Sequence, residues 1–432
     1  MTSLDLTSTR ASDSRLTPTK KATALRDMRV LAAVVVPPHL SVSGGARAAE
    51  RLSAALAPHC SITVASMMHD KGAGGGPQGD TDATHVPVAT WLPRLVPWSH
   101  LPNHYSTLFY RSELPRLAGS GSYDLVHIHN PMPALEMARV ARACLAGGTP
   151  YVVSTHGFNE VANGTQIYGF DPLRREVWRR LVVAPVRRVV CNAAAIFALS
   201  PADVPIVRDM GFVGEPHIVY NGVTMPALAE PAADTQALNR LGISDRCSGN
   251  QITCMFLANH TPNKGLPTLL EAFASLTIPY LLIIGGETRS SIDYARLAAA
   301  CRPGQRVVIT GRLTDSDVGT LFRRSDLFIF PTLADTFPLS VLEAMAHGLP
   351  VLASNVGGIP HQLDETCGVL VEPGNHRQLA AAVVNLAATP TRLATMGHLA
   401  RARVAARFTW QRAAEQAMAA YEDITRRGSA VR

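Results

Sequence analysis

PTLADTFPLSVLEAMAHGLPVLASNVGGIP, residues 331 to 360, decides the fold of this chain. The apolar run DLFIFP (Asp326 to Pro331) reaches it from one side and PVLASN (Pro350 to Asn355) lies within it. Both have the length and apolar content of buried strands, and the helical pattern between them makes a parallel βαβ unit. Pro338 suits the first helical position, where a missing N–H costs nothing. The amides of Leu339 and Ser340 then face outward from a helix N-terminus, which carries partial positive charge and free donors and suits an anion such as phosphate. Along the helix Leu339, Leu342, Ala346 and Leu349 form one apolar row and Val341 with Met345 another, whereas Ser340, Glu343 and His347 share a polar stripe. Asp335 occupies the loop at the carboxyl end of the first strand. Two carboxylates beside a helix N-terminus suit a ligand with both hydroxyls and an anion; the plainer reading is an acidic cap and a solvated glutamate.

At 432 residues the chain exceeds what one core usually supports, so two domains are expected. With 47% hydrophobic and 17% charged residues it reads as globular and not disordered. The formal net charge of +7 comes almost wholly from arginine, since Lys20, Lys21, Lys71 and Lys264 are its four lysines. That bias reads as genomic base composition, not as a nucleic-acid partner, and a modest excess also suits anionic nucleotides or an anionic membrane face. Seven cysteines (Cys60, Cys144, Cys191, Cys247, Cys254, Cys301 and Cys367) without CxxC spacing read as buried reduced thiols, neither a disulfide framework nor a zinc site. Residues 1 to 27 read as a disordered leader, and no apolar run has membrane-spanning length. A cytoplasmic location follows, with the inner face of a membrane as the alternative.

The N-terminal half opens with the strand MRVLAAVVVPP (Met28 to Pro38), a loop holding Gly44 and Gly45, and an alanine-rich helix. The glycines thereby stand at a strand's carboxyl end, where open α/β sheets bind ligands; the dinucleotide pattern G-x-G-x-x-G is absent. Residues 71 to 84 read as a flexible insertion. Further strands are expected at YDLVHIH, PYVVSTH, AIFALS and HIVYNG. Pro-, Ala- and Ser-rich text from Met225 to Asn250 suits an interdomain linker and a lead-in helix. A second βα series begins at QITCMFLA (Gln251 to Ala258), and FTWQRAAEQAMAAYEDI (Phe408 to Ile424) closes the pattern as an amphipathic helix.

These features together resemble the retaining glycosyltransferases of family four, through the E-x7-E region at 335 to 343 and the flanking VVITGRLTDSDVGTLFRRSDLFIFP and CGVLVEPGNHRQLAAAVVNLA. The resemblance implies a GT-B fold, two Rossmann-like doubly wound α/β domains facing across a cleft. Residues 28 to 230 would form an acceptor-binding domain, 231 to 407 a nucleotide-sugar-binding domain, and 408 to 432 a helix crossing back. It implies transfer of a sugar from a nucleotide diphosphate donor such as a UDP- or GDP-sugar, with that donor as co-substrate, no other cofactor and no metal. The acceptor is unidentified, and a monomer or homodimer would serve.

The resemblance also assigns roles. His156, ending a strand in STHGFN, would bind a sugar hydroxyl near the reacting centre. Lys264, in HTPNKGLPTLLEAF, would bind the diphosphate with the Leu339 and Ser340 amides, Gly44 and Gly45. Asp335 would hold sugar hydroxyls and Glu343 the ribose, with Phe337 in the same donor loop. Three departures stand out. Asn259 replaces the family's arginine and offers no charged fork, which leaves Arg312 or His260 to compensate. Asp335 replaces a glutamate, and Pro338 a glycine. A non-catalytic relative and a nucleotide-sugar epimerase of the same fold are the rival readings. Asp80-Thr81-Asp82 is a DxD pattern best explained by chance. The arginine pairs at 174/175, 179/180 and 187/188 bracket an apolar helix and suit either an ordinary solvated face or anionic lipid heads.

Overall fold

The structure is a computed structural model, and it describes residues 26–37, 44–67, 83–93, 106–227, 231–243, 251–288, 292, 294 and 301–430. The DxD pattern at 80–82 and nearly all of the leader lie outside these residues.

In chain order the strands are β1 (Arg29–Val34), β2 (Ser61–Ser66), β3 (Thr84–Pro87), β4 (Thr90–Trp91), β5 (Arg111–Ser112), β6 (Leu125–His129), β7 (Tyr151–Ser154), β8 (Ala195–Ala198) and β9 (His217–Ile218), followed by β10 (Ile252–Leu257), β11 (Tyr280–Gly285), β12 (Gln305–Gly311), β13 (Leu327–Phe330), β14 (Val351–Ser354) and β15 (Gly368–Val371). They build a seven-stranded sheet in the order β3-β2-β1-β6-β7-β8-β9 and a six-stranded sheet in the order β12-β11-β10-β13-β14-β15, both parallel. A short β4-β5 ribbon is antiparallel.

The near-continuous apolar runs seen in the sequence are strands covered on both faces. Residues alternating along β1 enter two different hydrophobic clusters, Leu31 and Ala33 on one side and Val30, Ala32 and Val34 on the other. Phe328 and Ile329 divide in the same way between the two clusters of the second sheet. Each fully buried Leu or Phe side chain contributes about 2 kcal/mol of transfer free energy.

Strand order reverses between β1 and β6 in the first sheet and between β10 and β13 in the second. Loops leaving neighbouring strands in opposite directions open a crevice at their carboxyl ends, where ligands of such sheets bind. The two crevices open into one cleft of about 940 Å3 between the sheets.

The chain crosses between the units twice, side by side. Val223 N donates to Phe408 O at 2.9 Å, and Val223 bridges Thr409. At Gly222 a Cβ would stand 2.3 Å from Trp410 N, so a side chain has no room there. The helix Trp410–Ala430 then packs on the first sheet, against the helix Gly44–Leu56. Ala413, Ala414 and Ala417 allow the close approach, and Tyr421 is wholly buried among strand residues. Among the described residues no helix is long and apolar enough to cross a membrane.

Several expectations need correction. Gly44 and Gly45 open the helix instead of lying in the loop before it. Pro338 is the N-cap residue, with ψ at 128°, and the helix runs Leu339–Ala346. Thr84, placed in a flexible insertion, starts β3 through pairing with Thr63. Cys191 is exposed and Cys301 half-buried, so the thiols are not uniformly interior; none forms a disulfide among the described residues.

Candidate active site

In the second sheet's crevice, the loop after β10 carries Lys264 and the loop after β13 carries Asp335. Lys264 Nζ donates to Asp335 Oδ2 at 2.6 Å. Lys264 closes a 3-10 turn, Pro262–Lys264, and Gly265 follows with φ +69°. A Cβ on Gly265 would fall 1.7 Å from Pro331 O, so glycine alone lets the two loops pack closely enough for the pair to form. Burial pulls the ammonium pKa down, but the Asp335 and Glu160 carboxylates outweigh it and hold the group above its ordinary value.

Glu160 comes from the other half of the chain. It sits on the helix Phe158–Ile167 that follows β7, and its Oε1 accepts from Asn263 Nδ2 at 3.1 Å across the cleft. Burial raises its pKa, opposed by Lys264 and reinforced by Asp335.

The helix Leu339–Ala346 buries Val341, Leu342, Ala344, Met345 and Ala346 and turns Ser340, Glu343 and His347 to the cleft, the expected polar stripe. Leu339, assigned to the apolar row, lines the cleft with them. Glu343 has Arg47 Nη2 at 3.9 Å, and the same guanidinium donates to Asp315 at 3.2 Å. Burial raises the Glu343 pKa, against the lowering pull of Arg47.

Phe337 packs its ring against Tyr220 and Phe408, with centroids 5.4 and 5.7 Å away, while its carbonyl accepts from Asn221. It therefore braces the two crossings with its ring, and what it turns to the cleft is the loop it anchors. Asn259 and Arg312 are exposed on the cleft wall. His260 does not join them: it is buried, bonded to the Tyr294 hydroxyl and the Gly285 carbonyl. Of the two residues proposed to compensate for Asn259, Arg312 alone faces the cleft.

On the opposite wall His156 is 5% exposed, and burial lowers its pKa to about 4, so the ring is a neutral donor and acceptor at pH 7. Gly45 approaches it closely; a Cβ there would stand 3.3 Å from His156 Cβ and 2.1 Å from Asn130 Oδ1. Gly44 has nothing within 4 Å of its Cβ position. Asn130 adopts φ 66°, a left-handed conformation that asparagine tolerates, and its buried Nδ2 has no partner among the described residues. His127 and His129 complete β6. His127 stands 2.6 Å from the Tyr421 hydroxyl and 2.8 Å from Ser154 Oγ, a strut holding the last helix to the sheet.

The cleft thus brings together all of the donor-site residues named from the sequence except His260, from both halves of the chain. Arg47, Asn130, Glu160 and Asn263 were missed. Glu160 had one usable signal, its position four residues after His156 in the helix that His156 introduces.

Such facing sheets with a shared crevice define the GT-B class, and solved structures bear this out. Sucrose-phosphate synthase from Thermosynechococcus elongatus superposes with a TM-score of 0.70 at 19% identity, over 92% of this chain and 99% of that one. Anabaena HepE in complex with UDP and glucose gives 0.67 at 18% identity, over 92% and 100%. Family profiles match in two blocks, glycosyltransferase family 4 over residues 42–225 and glycosyl transferases group 1 over residues 251–389. The chain belongs to glycosyltransferase family four. A D-inositol 3-phosphate glycosyltransferase of Segniliparus rotundus is 27% identical over 302 residues, 65% of this chain and 63% of that relative's own length.

Proposed function

We propose that this protein is a retaining glycosyltransferase that moves a sugar from a nucleotide diphosphate donor to a hydroxyl of an acceptor held mainly by the first sheet's loops. One observation carries the reading: a half-buried ammonium, a helix N-terminus, two carboxylates and a neutral imidazole line a single cleft at the switch points of two facing sheets.

Departure of the nucleoside diphosphate breaks the bond from the anomeric carbon to the phosphate oxygen and leaves negative charge on that phosphate. Lys264, the Leu339 and Ser340 amides and Arg312 take up this charge. The acceptor oxygen bonds to the anomeric carbon from the same face, and its proton passes to the leaving phosphate oxygen. No enzymic nucleophile is then needed. Neutral His156 holds a sugar hydroxyl, Asp335 another, and Glu343 the ribose hydroxyls. To reach the sugar, Asp335 shares its oxygens between Lys264 and the ligand, as a carboxylate with several acceptor positions can. Closure of the two halves excludes water that would hydrolyse the donor.

The deciding experiment is a thermal-shift screen with uridine, guanosine and other nucleoside diphosphates, followed by transfer assays with the matching sugar donors. D-inositol 3-phosphate heads the acceptor panel because the Segniliparus relative is named for it. Selective stabilisation by one nucleotide is expected, since a ligand that binds the native state raises the melting temperature. Absence of any shift, or binding without transfer or donor hydrolysis, would favour a non-catalytic relative.

A further inference from the structure

The segment from Tyr168 to Arg180 borders the cleft through Trp178 and has an apolar face that is exposed among the described residues. Its helix Pro172–Trp178 buries none of its residues. Leu173 is 75% exposed and Val177 43%, and their i, i+4 spacing puts them on one face. In the same segment the rings of Tyr168 and Phe170 stack at 5.7 Å, and Phe170 meets Trp178 edge-on at 5.5 Å. Single exposed leucines are ordinary, but two exposed apolar residues on one helix face in a segment that also carries three aromatic rings are not.

The charge around this face is one-sided. Residues 171 to 191 hold six arginines against Asp171 and Glu176. Arg174 pairs with Asp171, and Arg179 and Arg180 both lean on Glu176. These are surface pairs, which anionic phosphates can displace at little cost. A π turn, Arg179–Val183, separates this outward-facing helix from Ala184–Cys191, which buries Val186, Val189 and Val190 in the core. The upstream apolar face is therefore not a continuation of the packed one.

Apolar side chains, aromatic rings and excess arginine in and around one short surface helix match the interface of an anionic bilayer. We propose that the segment 168 to 180 docks this protein on an anionic membrane. The position gives the contact a purpose. Trp178 lines the cleft and its Nε1 donates to Val161 O at 3.0 Å, so docking here brings the first sheet's side of the cleft mouth to the lipid surface. The consequence for the acceptor rests on the transferase reading; the docking itself does not.

The test is sedimentation of the full chain with vesicles of equal parts phosphatidylcholine and phosphatidylglycerol, beside vesicles of phosphatidylcholine alone. Binding is expected to the anionic vesicles only, and to fade at about 1 M salt, where the screening length falls to about 3 Å. The double variant Leu173→Ser, Val177→Ser should lose roughly tenfold in partitioning, and Arg174→Gln with Arg180→Gln roughly tenfold or more. Val213→Ser, in a different loop and 94% exposed, should change nothing. All these side chains are exposed, and unchanged melting temperatures will show that the variants fold. Equal partitioning of wild type and the serine variant would overturn the proposal, as would equal binding to uncharged vesicles or none to either. So would a dimer, seen by light scattering, that the serine variant dissolves, since the face would then be covered by a second copy.

Discussion

Lys264 and Asp335, 71 residues apart in sequence, form a 2.6 Å ion pair across the switch point of the second sheet. The pair keeps the ammonium charged and fixed before any ligand arrives, which is how electrostatic stabilisation gains strength without reorganisation.

From this arrangement the two partners should fail differently. Lys264→Ala should weaken nucleoside diphosphate binding by about 2 kcal/mol, the value of a charged hydrogen bond, and lower transfer by about 10²- to 10³-fold. Asp335→Asn should leave nucleoside diphosphate affinity nearly intact and lower transfer through the sugar. Calorimetry with the nucleotide, set beside initial rates, separates them; an equal loss of affinity in both variants would contradict the division of labour.

The adjacent glycines at 44 and 45 should also diverge. Gly45→Ala drives a methyl into Asn130 and against His156, and should cost about 1–3 kcal/mol of stability and much of the activity. Gly44→Ala meets open space and should be neutral or stabilising by up to about 1 kcal/mol through helix propensity. Denaturant midpoints of the two variants measure this directly.

Glu343 should affect nucleosides and not bare phosphates. Glu343→Ala is expected to weaken uridine or guanosine diphosphate binding about tenfold by loss of a charge-assisted bond to ribose, while pyrophosphate, which lacks the ribose, binds as before. A parallel loss for pyrophosphate would place Glu343 at the phosphates instead.

Acid should act on the histidine strut. Burial lowers the His127 pKa to about 3, against 6.5 for an unperturbed imidazole. Between those values the unfolded chain binds the proton and the folded one does not, so stability falls as pH drops from about 6.5 towards 3. Asp203, raised to about 6 by burial, works in the opposite direction between about 4 and 6. His127→Gln isolates the histidine: it should melt lower than wild type at pH 7.5 and lose less on going to pH 5. Identical pH slopes for the two proteins would remove His127 from the account.

What the sequence disclosed was what periodicity and turn chemistry carry. The strand, helix and strand from 326 to 355 are legible because apolar runs and a polar stripe at i, i+3, i+7 survive tertiary packing. Leu339 was misplaced because a helical wheel does not say which residues of the first turn border a cleft. His156 and His260 look alike in text, each at a strand end before a turn, yet one faces the cleft and the other bonds Tyr294 within the second domain. Glu160 with Asn263, and Arg47 with Asp315, are contacts over 103 and 268 residues. They exist only once two separately folded sheets face each other, and no local pattern encodes them.

The hydroxyl of Tyr421 against His127 means that the first sheet is finished by residues that follow the second in the chain. During synthesis the ribosome therefore releases an N-terminal layer whose face at Val152, Ala195 and Phe197 stays bare until the helix 410–430 emerges. A nonsense codon between positions 409 and 413 would spare every donor-loop residue and still strip that face, so the damage would fall on the half of the molecule made first.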